Sequence, residues 1–311
     1  MQFIKGFIVA KRATLADFRE HLNSIYPNLF DILAKDKDRF SFRVNLLKAT
    51  PQEVLDSLKD EGFEVKETIY EDVFTLPISD RKSLPKAKVY TEHKVYIQSL
   101  SSIFAARCLE VSKSDWVLDL AAAPGGKSLI FAQAANKVSA VEPDKSRFFS
   151  MKRNFKAMGA KNIQTYNKDG RFIYKSCNGW FDKVFLDAPC SSEAHIDIKK
   201  GITWWNKRRI YKFAKLQKEL IISAFESLKP NGVMVYATCT FAPQENEAVL
   251  NFLLSKYPNA KILPIEHNFS NFTPAVTSFE GEEYHPSISN AIRVVPSDEF
   301  SGFFFAKIYK A

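Results

Sequence analysis

From Trp116 onward, short apolar runs alternate with longer segments whose apolar residues recur at helical spacing. The runs predict five strands, over 116–121, 137–143, 162–169, 182–189 and 232–239. Strands of nearly continuous apolar character that alternate with helices are typical of a parallel sheet covered on both faces. A helix (ENEAVLNFLLSKY), a weak strand (KILPI) and an edge strand over 302–310 are predicted to follow.

The first third of the chain has a different pattern. Helical spacing over 14–36 is interrupted by Pro27, and the pattern then predicts a strand, a helix, a strand and an amphipathic helix, over 40–47, 51–62, 63–69 and 96–110. We therefore expect an N-terminal helical plus α+β module over residues 1–109. Residues 110–311 are expected to form an α/β domain with a doubly wound, mostly parallel, seven-stranded Rossmann-like sheet.

Composition narrows the class of protein. The chain has 311 residues, of which 46% are hydrophobic, and a formal net charge of +9. This charge favours an anionic partner such as RNA, although on charge alone the protein could simply be basic. No apolar run approaches the ~18 residues of a membrane span, and residues 1–12 are too interrupted for a secretory signal. The four cysteines form no CxxC pair, so we expect no metal site and a cytoplasmic location. A monomer is the default expectation.

The first strand of the α/β region runs into a glycine-rich loop, LDLAAAPGGKS over 118–128. Gly125 and Gly126 allow a tight turn and a close approach to a ligand, and a helix begins directly after them. The loop also fits a permissive phosphate-loop pattern, and the strand over 182–187 could imitate the magnesium-binding strand of a nucleotidase. A nucleotidase is therefore an alternative.

Acidic residues at the strand ends favour a different ligand. Asp119, Glu142, Asp169 and Asp187 lie at the ends of four of the predicted strands. Ligands of an open parallel sheet bind outside the carboxyl ends of its strands, so a triphosphate would face several carboxylates. S-adenosylmethionine instead presents a sulfonium, an ammonium and a ribose diol, which suit acids. Glu142 occupies the position from which an acid binds ribose hydroxyls.

Two cysteines follow the fourth and fifth predicted strands, Cys190 in DAPC and Cys239 in ATCT. If these strands are neighbours, both thiols face the cofactor crevice. A thiolate that adds to carbon 6 of a cytosine makes carbon 5 nucleophilic towards a sulfonium methyl group. Asp187 is suitably placed to hydrogen-bond the N3/N4 edge of the base. The pattern alone does not distinguish the roles of the two thiols.

The motifs together resemble one family. LDLAAAPGGKS, VEPDKSR, NKDGR, LDAPCSS and VYATCTFAPQENE occur in the order typical of the Nop/Sun (RsmB/RsmF-like) RNA cytosine-5 methyltransferases. FRVNLL, YIQSLSS and FSGFFFAKI extend the resemblance over nearly the whole chain. The chain departs from the family pattern at Ser192 and Ala194, where many members have glycine. The resemblance implies S-adenosylmethionine as cofactor and RNA as substrate, with ribosomal RNA favoured and transfer RNA possible.

The resemblance also implies residue roles. Cys239 would be the nucleophile, Cys190 would assist release of the product, and Asp187 would lie between cofactor and base. The implied cofactor contacts are Ala121, Ala122, Ala123, Pro124, Gly125, Gly126, Lys127, Glu142, Arg147, Asp169 and Asp187. A non-catalytic, RNA-binding ribosome-assembly factor that merely keeps the fold is a second alternative.

A basic and aromatic stretch over 199–218 is the candidate RNA contact. It interleaves cations with aromatic residues, namely Trp204, Trp205, Tyr211 and Phe213. Cations on phosphates and aromatic rings on bases are typical of single-stranded RNA binding, whereas aromatics at helical spacing are also typical of a core. We expect part of 207–212 to contact phosphate. His195 follows Cys190 closely, and we interpret it as a loop histidine.

Overall fold

The computed structural model describes residues 13–202 and 204–311, so the apolar segment over 1–12 lies outside the described residues. The described chain begins with α1 (Leu15–Ile25) and α2 (Leu29–Leu33). Thr14 starts α1 as a capping box, because its hydroxyl accepts from the Asp17 N–H while the Asp17 carboxylate accepts from the Thr14 N–H. The predicted interruption near Pro27 is confirmed, since α1 ends two residues before it.

A small antiparallel sheet with two helices follows. Its elements are β1 (Arg39–Val44), α3 (Pro51–Asp60), β2 (Lys66–Glu67), β3 (Val73–Pro77), α4 (Lys88–Thr91) and β4 (Val95–Ile97). The strand order is β2-β3-β1-β4. The strand predicted over 63–69 shrinks to the exposed edge strand β2. The sequence reasoning missed β3, whose first four residues are all buried and so lack the alternation that marks a half-exposed strand.

The next helix, α5 (Leu100–Arg107), is buried on every side instead of amphipathic as predicted. All residues from Leu100 to Ala106 are buried, and they share a core with Val117 and Phe305 of the central sheet. The helix therefore packs on the sheet of the C-terminal region although it precedes residue 110. The division of the chain at residues 109 and 110 stays a prediction.

The central sheet contains the predicted parallel strands with slightly different ends. They are β5 (Trp116–Asp119), β6 (Lys137–Val141), β7 (Ile163–Tyr166), β8 (Phe181–Asp187) and β9 (Leu228–Thr238). Their spatial order is β7-β6-β5-β8-β9, and each neighbouring pair is parallel. The order reverses between β5 and β8, so the ligand crevice of this fold lies at the carboxyl ends of those two strands.

The remaining strands are antiparallel or form a short hairpin. They are β10 (Ala260–Leu263), β11 (Phe272–Pro274), β12 (Ser278–Phe279), β13 (Glu282–Glu283), β14 (Ile292–Val294) and β15 (Phe303–Lys310). The prediction of an edge strand over 302–310 is wrong, because β15 pairs with β9 on one side and with β14 and β10 on the other. Phe303 to Ala306 are all buried, as an interior strand requires.

The mixed sheet therefore has nine strands within the described residues instead of seven. Beyond β15, the β14 and β10 strands pair with different parts of β15, and β11 pairs with β14. The doubly wound fold class is confirmed. The helices of this region are α6 (Gly126–Ala132), α7 (Lys145–Met158), α8 (Tyr174–Cys177), α9 (Lys207–Ser227) and α10 (Glu247–Lys256).

Helices cover both faces of the sheet. The α9 and α10 helices pack over Leu118, Val184 and Tyr236, whereas α5 and α6 pack over Val117 and Phe185. Successive residues of one strand point to opposite faces, which explains why these strands read as continuous apolar runs. Among residues 13–202 and 204–311, no helix combines the length and the apolar character needed to cross a bilayer.

Candidate active site

The switch point of the sheet carries an ion pair. The Lys127 Nζ donates to the Asp187 Oδ2 at 2.6 Å, joining the start of α6 to the end of β8. Although burial by itself lowers the pKa of Lys127, the neighbouring Asp187 carboxylate raises it above its ordinary value overall. The ammonium is therefore neutralised by the protein itself.

The glycine-rich loop is shaped by its aromatic neighbours. Gly125 has a φ of +102°, and a Cβ there would lie 2.4 Å from the Phe155 Cε1 of α7. A Cβ on Gly126 would lie 2.8 Å from the Tyr96 Cε1. The two glycines thus allow the loop to pack tightly between α7 and the N-terminal sheet, in addition to the close ligand approach expected from the sequence.

A cavity of about 390 Å³ opens beside this loop. It brings together most of the predicted loop residues with Lys127 and Asp187. The lining consists of Tyr96, Ile97, Gln98, Ser99, Ser102, Asp119, Ala121, Ala122, Ala123, Pro124, Gly126, Lys127, Asp187 and His195. Sequence reasoning missed the wall formed by residues 96–102. The motif YIQSLSS was the available signal, but nothing in its pattern indicates that it faces the loop.

The other predicted cofactor contacts do not line this cavity. Glu142 is buried, and its Oε2 lies 3.4 Å from the Arg147 Nη1. The Arg147 Nη2 in turn donates to the Ala123 carbonyl at 2.8 Å, which links Glu142 to the loop. Asp169 instead pairs with Arg171 at 2.6 Å and lines a neighbouring groove of about 590 Å³. Gly125 is turned away from the cavity, towards α7.

The donor set of the cavity fits a cationic ligand with hydroxyl groups. Asp119 is buried, and burial raises its pKa to about 7 against the hydrogen bond from Ser128 and the charge of Lys127. Its Oδ1 has no hydrogen-bond partner among the described residues. A buried carboxylate oxygen without a partner is costly, so a cationic or hydroxyl-bearing ligand that reaches it gains affinity.

The two candidate thiols meet as predicted. The Cys190 Sγ lies 3.3 Å from the Cys239 Sγ, because β8 and β9 are adjacent and parallel. Their environments differ. The hydrogen bond from Cys190, together with the His195 side chain, lowers the pKa of Cys239 well below its ordinary value despite burial. The Cys239 contact and burial raise the pKa of Cys190 well above its ordinary value.

The loop after Cys190 takes a defined path without the glycines of the family pattern. Ser192 adopts φ +59°, a left-handed conformation that glycine adopts more readily. Its hydroxyl donates to the Cys190 carbonyl at 3.4 Å. The turn then carries Glu193 into the core and places His195 beside Cys239, which raises the pKa of the histidine. His195 is exposed and lies in this turn, as expected of a loop histidine, and it also lines the cavity with Lys127 and Asp187.

The basic and aromatic stretch divides into core and surface. Trp205 is buried and donates from Nε1 to Glu193, whereas Trp204 and Tyr211 are exposed. The Arg209 guanidinium lies 5.2 Å from the Trp204 ring and 5.1 Å from the Phe213 ring. Exposed cations occupy the same first turns of α9, namely Lys207, Arg208 and Lys212. Across the described residues, no group of His, Cys, Asp and Glu is arranged to hold a metal ion.

The chain is similar to known RNA methyltransferases. A family model described as 16S rRNA methyltransferase RsmB/F matches residues 106–309. The tRNA (cytosine(49)-C(5))-methyltransferase of Pyrococcus abyssi is 31% identical, over 94% of this chain and 99% of the relative. Ribosomal RNA small subunit methyltransferase F of Vibrio atlanticus is 33% identical, over 85% of this chain and 62% of the relative. The chain thus spans less than two thirds of the Vibrio protein.

Solved structures give the same assignment. The crystal structure of a methyltransferase homolog protein from Pyrococcus horikoshii is 30% identical and has a TM-score of 0.80, over 94% of both chains. NSun6 from Pyrococcus horikoshii, solved with the S-adenosylmethionine analogue SFG, has a TM-score of 0.80 at 21% identity and shows the same fold. This chain therefore belongs to the Nop/Sun family of S-adenosylmethionine-dependent RNA methyltransferases, as a member of its RsmB/F group.

Proposed function

We propose that the protein methylates carbon 5 of a cytosine in RNA through a covalent bond between Cys239 and carbon 6 of the base, with Cys190 assisting release. The observation that carries this proposal is the pair of sulfur atoms 3.3 Å apart at the switch point of the sheet. The pair is asymmetric, because the pKa of Cys239 is lowered and the pKa of Cys190 is raised. A nucleophile and a hydrogen-bond donor are thereby placed side by side.

The cavity beside the pair is the proposed cofactor site. S-adenosylmethionine supplies, when bound, an electrophilic methyl group on a sulfonium. Asp119, with its unpartnered Oδ1, is the proposed partner for the cationic part of this ligand, and Glu142 the partner for the ribose hydroxyls. Residues 121–127 and Arg147 complete the site, and Asp169 is assigned to the adenine side.

The residues around the thiols have complementary tasks. Cys239 as a thiolate adds to carbon 6, and Asp187, held by Lys127, accepts a hydrogen bond from the 4-amino group of cytosine. After methyl transfer, solvent water takes the carbon 5 proton, the electron pair of that C–H bond forms the C5=C6 double bond, and the electron pair of the carbon–sulfur bond returns to Cys239. The Cys190 thiol, at 3.3 Å, stabilises this departing thiolate by donating a hydrogen bond.

RNA is the substrate class that the surface and the relatives support. The exposed cations Lys207, Arg208 and Lys212 and the exposed rings of Trp204 and Tyr211 form one face at the start of α9. We assign phosphate contacts to these cations and stacking to these rings, and we assign a role in gripping RNA to the N-terminal module. Ribosomal RNA is the favoured target, and transfer RNA is the target named for the Pyrococcus abyssi relative.

Two observations count against the alternative of a phosphate-loop nucleotidase. The chain belongs to a methyltransferase family, and the Lys127 ammonium that would hold a phosphate is already paired with Asp187. The alternative of a non-catalytic assembly factor makes a separate prediction, because Cys239→Ala would then leave cellular function intact.

The test is a set of cysteine variants assayed with labelled S-adenosylmethionine and RNA. Cys239→Ala should abolish methyl transfer, whereas Cys177→Ala, a half-buried cysteine elsewhere, should leave it unchanged. Cys190→Ala should accumulate a protein–RNA adduct that survives a denaturing gel, and Cys190→Ser should accumulate less because it keeps an O–H donor. Methyl transfer by Cys239→Ala, or an adduct that forms without Cys239, would contradict the proposal. Bisulfite sequencing of total RNA with and without the gene identifies the target.

A further inference from the structure

A short turn at Glu193–His195 brings a titratable ring to the thiol pair. His195 follows Ala194, whose N–H donates to the Cys239 carbonyl at 3.1 Å, and it lines the cavity together with Lys127 and Asp187. The ring therefore lies in the region of the sulfur that the proposed function assigns as nucleophile. The histidine is thus placed to exchange a proton with that sulfur.

The turn is held rigidly by the residue two positions before the histidine. The Glu193 carboxylate has no exposed surface and lies at the centre of a buried hydrogen-bond network. Its partners are His21 Nε2 at 2.9 Å, Trp205 Nε1 at 2.8 Å, Thr240 Oγ1 at 2.9 Å and the Phe241 N–H at 3.0 Å. Two of these partners directly follow Cys239 in the chain, so the network fixes the turn relative to the thiol.

A backbone contact completes this arrangement. The Ala194 N–H donates to the Cys239 carbonyl at 3.1 Å, which joins the residue before His195 to the cysteine itself. Because the turn is tied to the cysteine segment at Glu193 and at Ala194, the backbone of His195 is fixed next to Cys239. Such rigidity is what a proton acceptor for a nucleophile requires.

The charges around the pair favour an ionised thiol. Cys239 is the main cause that raises the pKa of His195 above its ordinary value, the Asp187 carboxylate adds to this effect, and the charge of Lys37 opposes it. Cys239 faces Cys190, His195 and the positive charge of Lys127, and Asp187 is the acidic group that opposes its ionisation.

We propose that His195 takes the proton of the Cys239 thiol and keeps the cysteine as a thiolate beside an imidazolium before RNA binds. The S–H bond breaks, its proton goes to the imidazole, and its electron pair stays on sulfur and later forms the bond to carbon 6 of the base. Elimination returns this pair to sulfur, so His195 keeps its proton throughout the cycle. The inference rests on the proposed function, in which Cys239 is the nucleophile.

The test measures the ionisation of Cys239 in the full chain, without RNA or cofactor. The rate of alkylation by iodoacetamide is followed against pH, and mass spectrometry of the Cys239 peptide separates it from the other cysteines. The wild-type midpoint should lie below the ~8.5 of a free thiol. The variants His195→Asn and His195→Gln keep a neutral N–H donor on side chains of two different lengths. Both should raise this midpoint by about one unit or more and slow alkylation at pH 7 about tenfold.

The matched control is His93→Asn, at an exposed histidine whose left-handed backbone suits asparagine. It should leave the midpoint unchanged. Equal alkylation rates in all variants at pH 10 show that the thiol pocket remains folded. In the methylation assay, the His195 variants should lose kcat at pH 7, regain much of it at pH 9 and keep the KM for RNA.

Two outcomes overturn the inference. One is a wild-type midpoint at or above that of a free thiol, and the other is a midpoint that both His195 variants leave in place. Failure of the proposed function is recognised separately, because it requires methyl transfer by Cys239→Ala, whatever the ionisation of the thiol.

Discussion

The Arg43 Nη2 donates a hydrogen bond to the Gly126 carbonyl at 3.0 Å and so ties the N-terminal sheet to the glycine-rich loop. Arg43 has no exposed surface, and its Nε also donates to the Gln98 Oε1 at 3.0 Å. Burial lowers the pKa of this arginine to about 10, which still leaves it charged at neutral pH. The N-terminal module thus contributes to the shape of the proposed cofactor site.

Replacement of Arg43 by methionine should weaken both stability and cofactor binding. The variant keeps the volume but leaves the Gly126 carbonyl and Gln98 without their donor, at a cost of about 2 kcal/mol in the free energy of unfolding. Urea titration measures this cost, and titration with S-adenosylhomocysteine should show about tenfold weaker binding. Arg43→Lys, which keeps the charge, should lose less. Unchanged affinity in Arg43→Met would show that the loop is shaped independently of the N-terminal sheet.

Asp187→Asn should lower methyl transfer about 100-fold while S-adenosylhomocysteine binding changes less than tenfold. The carboxylate that accepts from the cytosine 4-amino group is lost, whereas the cavity keeps its walls. Asp182→Asn is the matched control, because Asp182 lies at the other end of β8 and also pairs with a lysine, Lys229, at 2.6 Å. Equal losses of activity in the two variants would mean that Asp187 acts only through stability.

Glu142→Gln should raise the dissociation constant of S-adenosylhomocysteine about tenfold, because an NH2 group replaces one of the two carboxylate oxygens assigned to the ribose hydroxyls. The maximal rate should be recovered at high S-adenosylmethionine, which distinguishes a binding role from a chemical one. The control is Glu219→Gln, since Glu219 pairs with Arg171 as Glu142 pairs with Arg147. A dissociation constant equal to that of the wild type would remove Glu142 from the cofactor site.

Glu245 should make the free energy of unfolding fall as the pH rises. Burial raises its pKa from 4.5 to about 8, against the hydrogen bonds from the Ser191 N–H and the Gln217 amide. The folded chain therefore keeps a proton that the unfolded chain loses, and this contribution is present below pH 4.5 and is lost as the pH rises to about 8.

Glu245→Gln should remove this contribution. Between pH 5 and 8 the free energy of unfolding should then fall less steeply with pH, by up to about 1.4 kcal/mol per pH unit. Urea titrations at several pH values measure the two slopes, and Glu283→Gln, at an exposed position, supplies the control. Parallel curves for Glu245→Gln and the wild type would mean that Glu245 is ionised in the folded protein.

The elements that could be predicted from the sequence are those with local causes. The strands of the parallel sheet read as apolar runs because helices cover both faces, and α3 is framed by Thr50, Pro51 and Gly62 in the pattern that starts and stops helices. The short strand β3 and the buried helix α5 were missed or misjudged. Their burial depends on partners that are distant in the chain, so their own periodicity carries no signal.

The sequence by itself determined which chemistry the chain can offer, because the motifs that end in Asp187, Cys190 and Cys239 are local runs of residues. Only the tertiary structure decided which of these groups act on one another. The two sulfur atoms come from positions 49 residues apart, and the His21 that holds Glu193 is 172 residues away from it. Strand adjacency and core packing bring such groups within hydrogen-bond distance, and the pKa of a thiol depends on those neighbours instead of on its own motif.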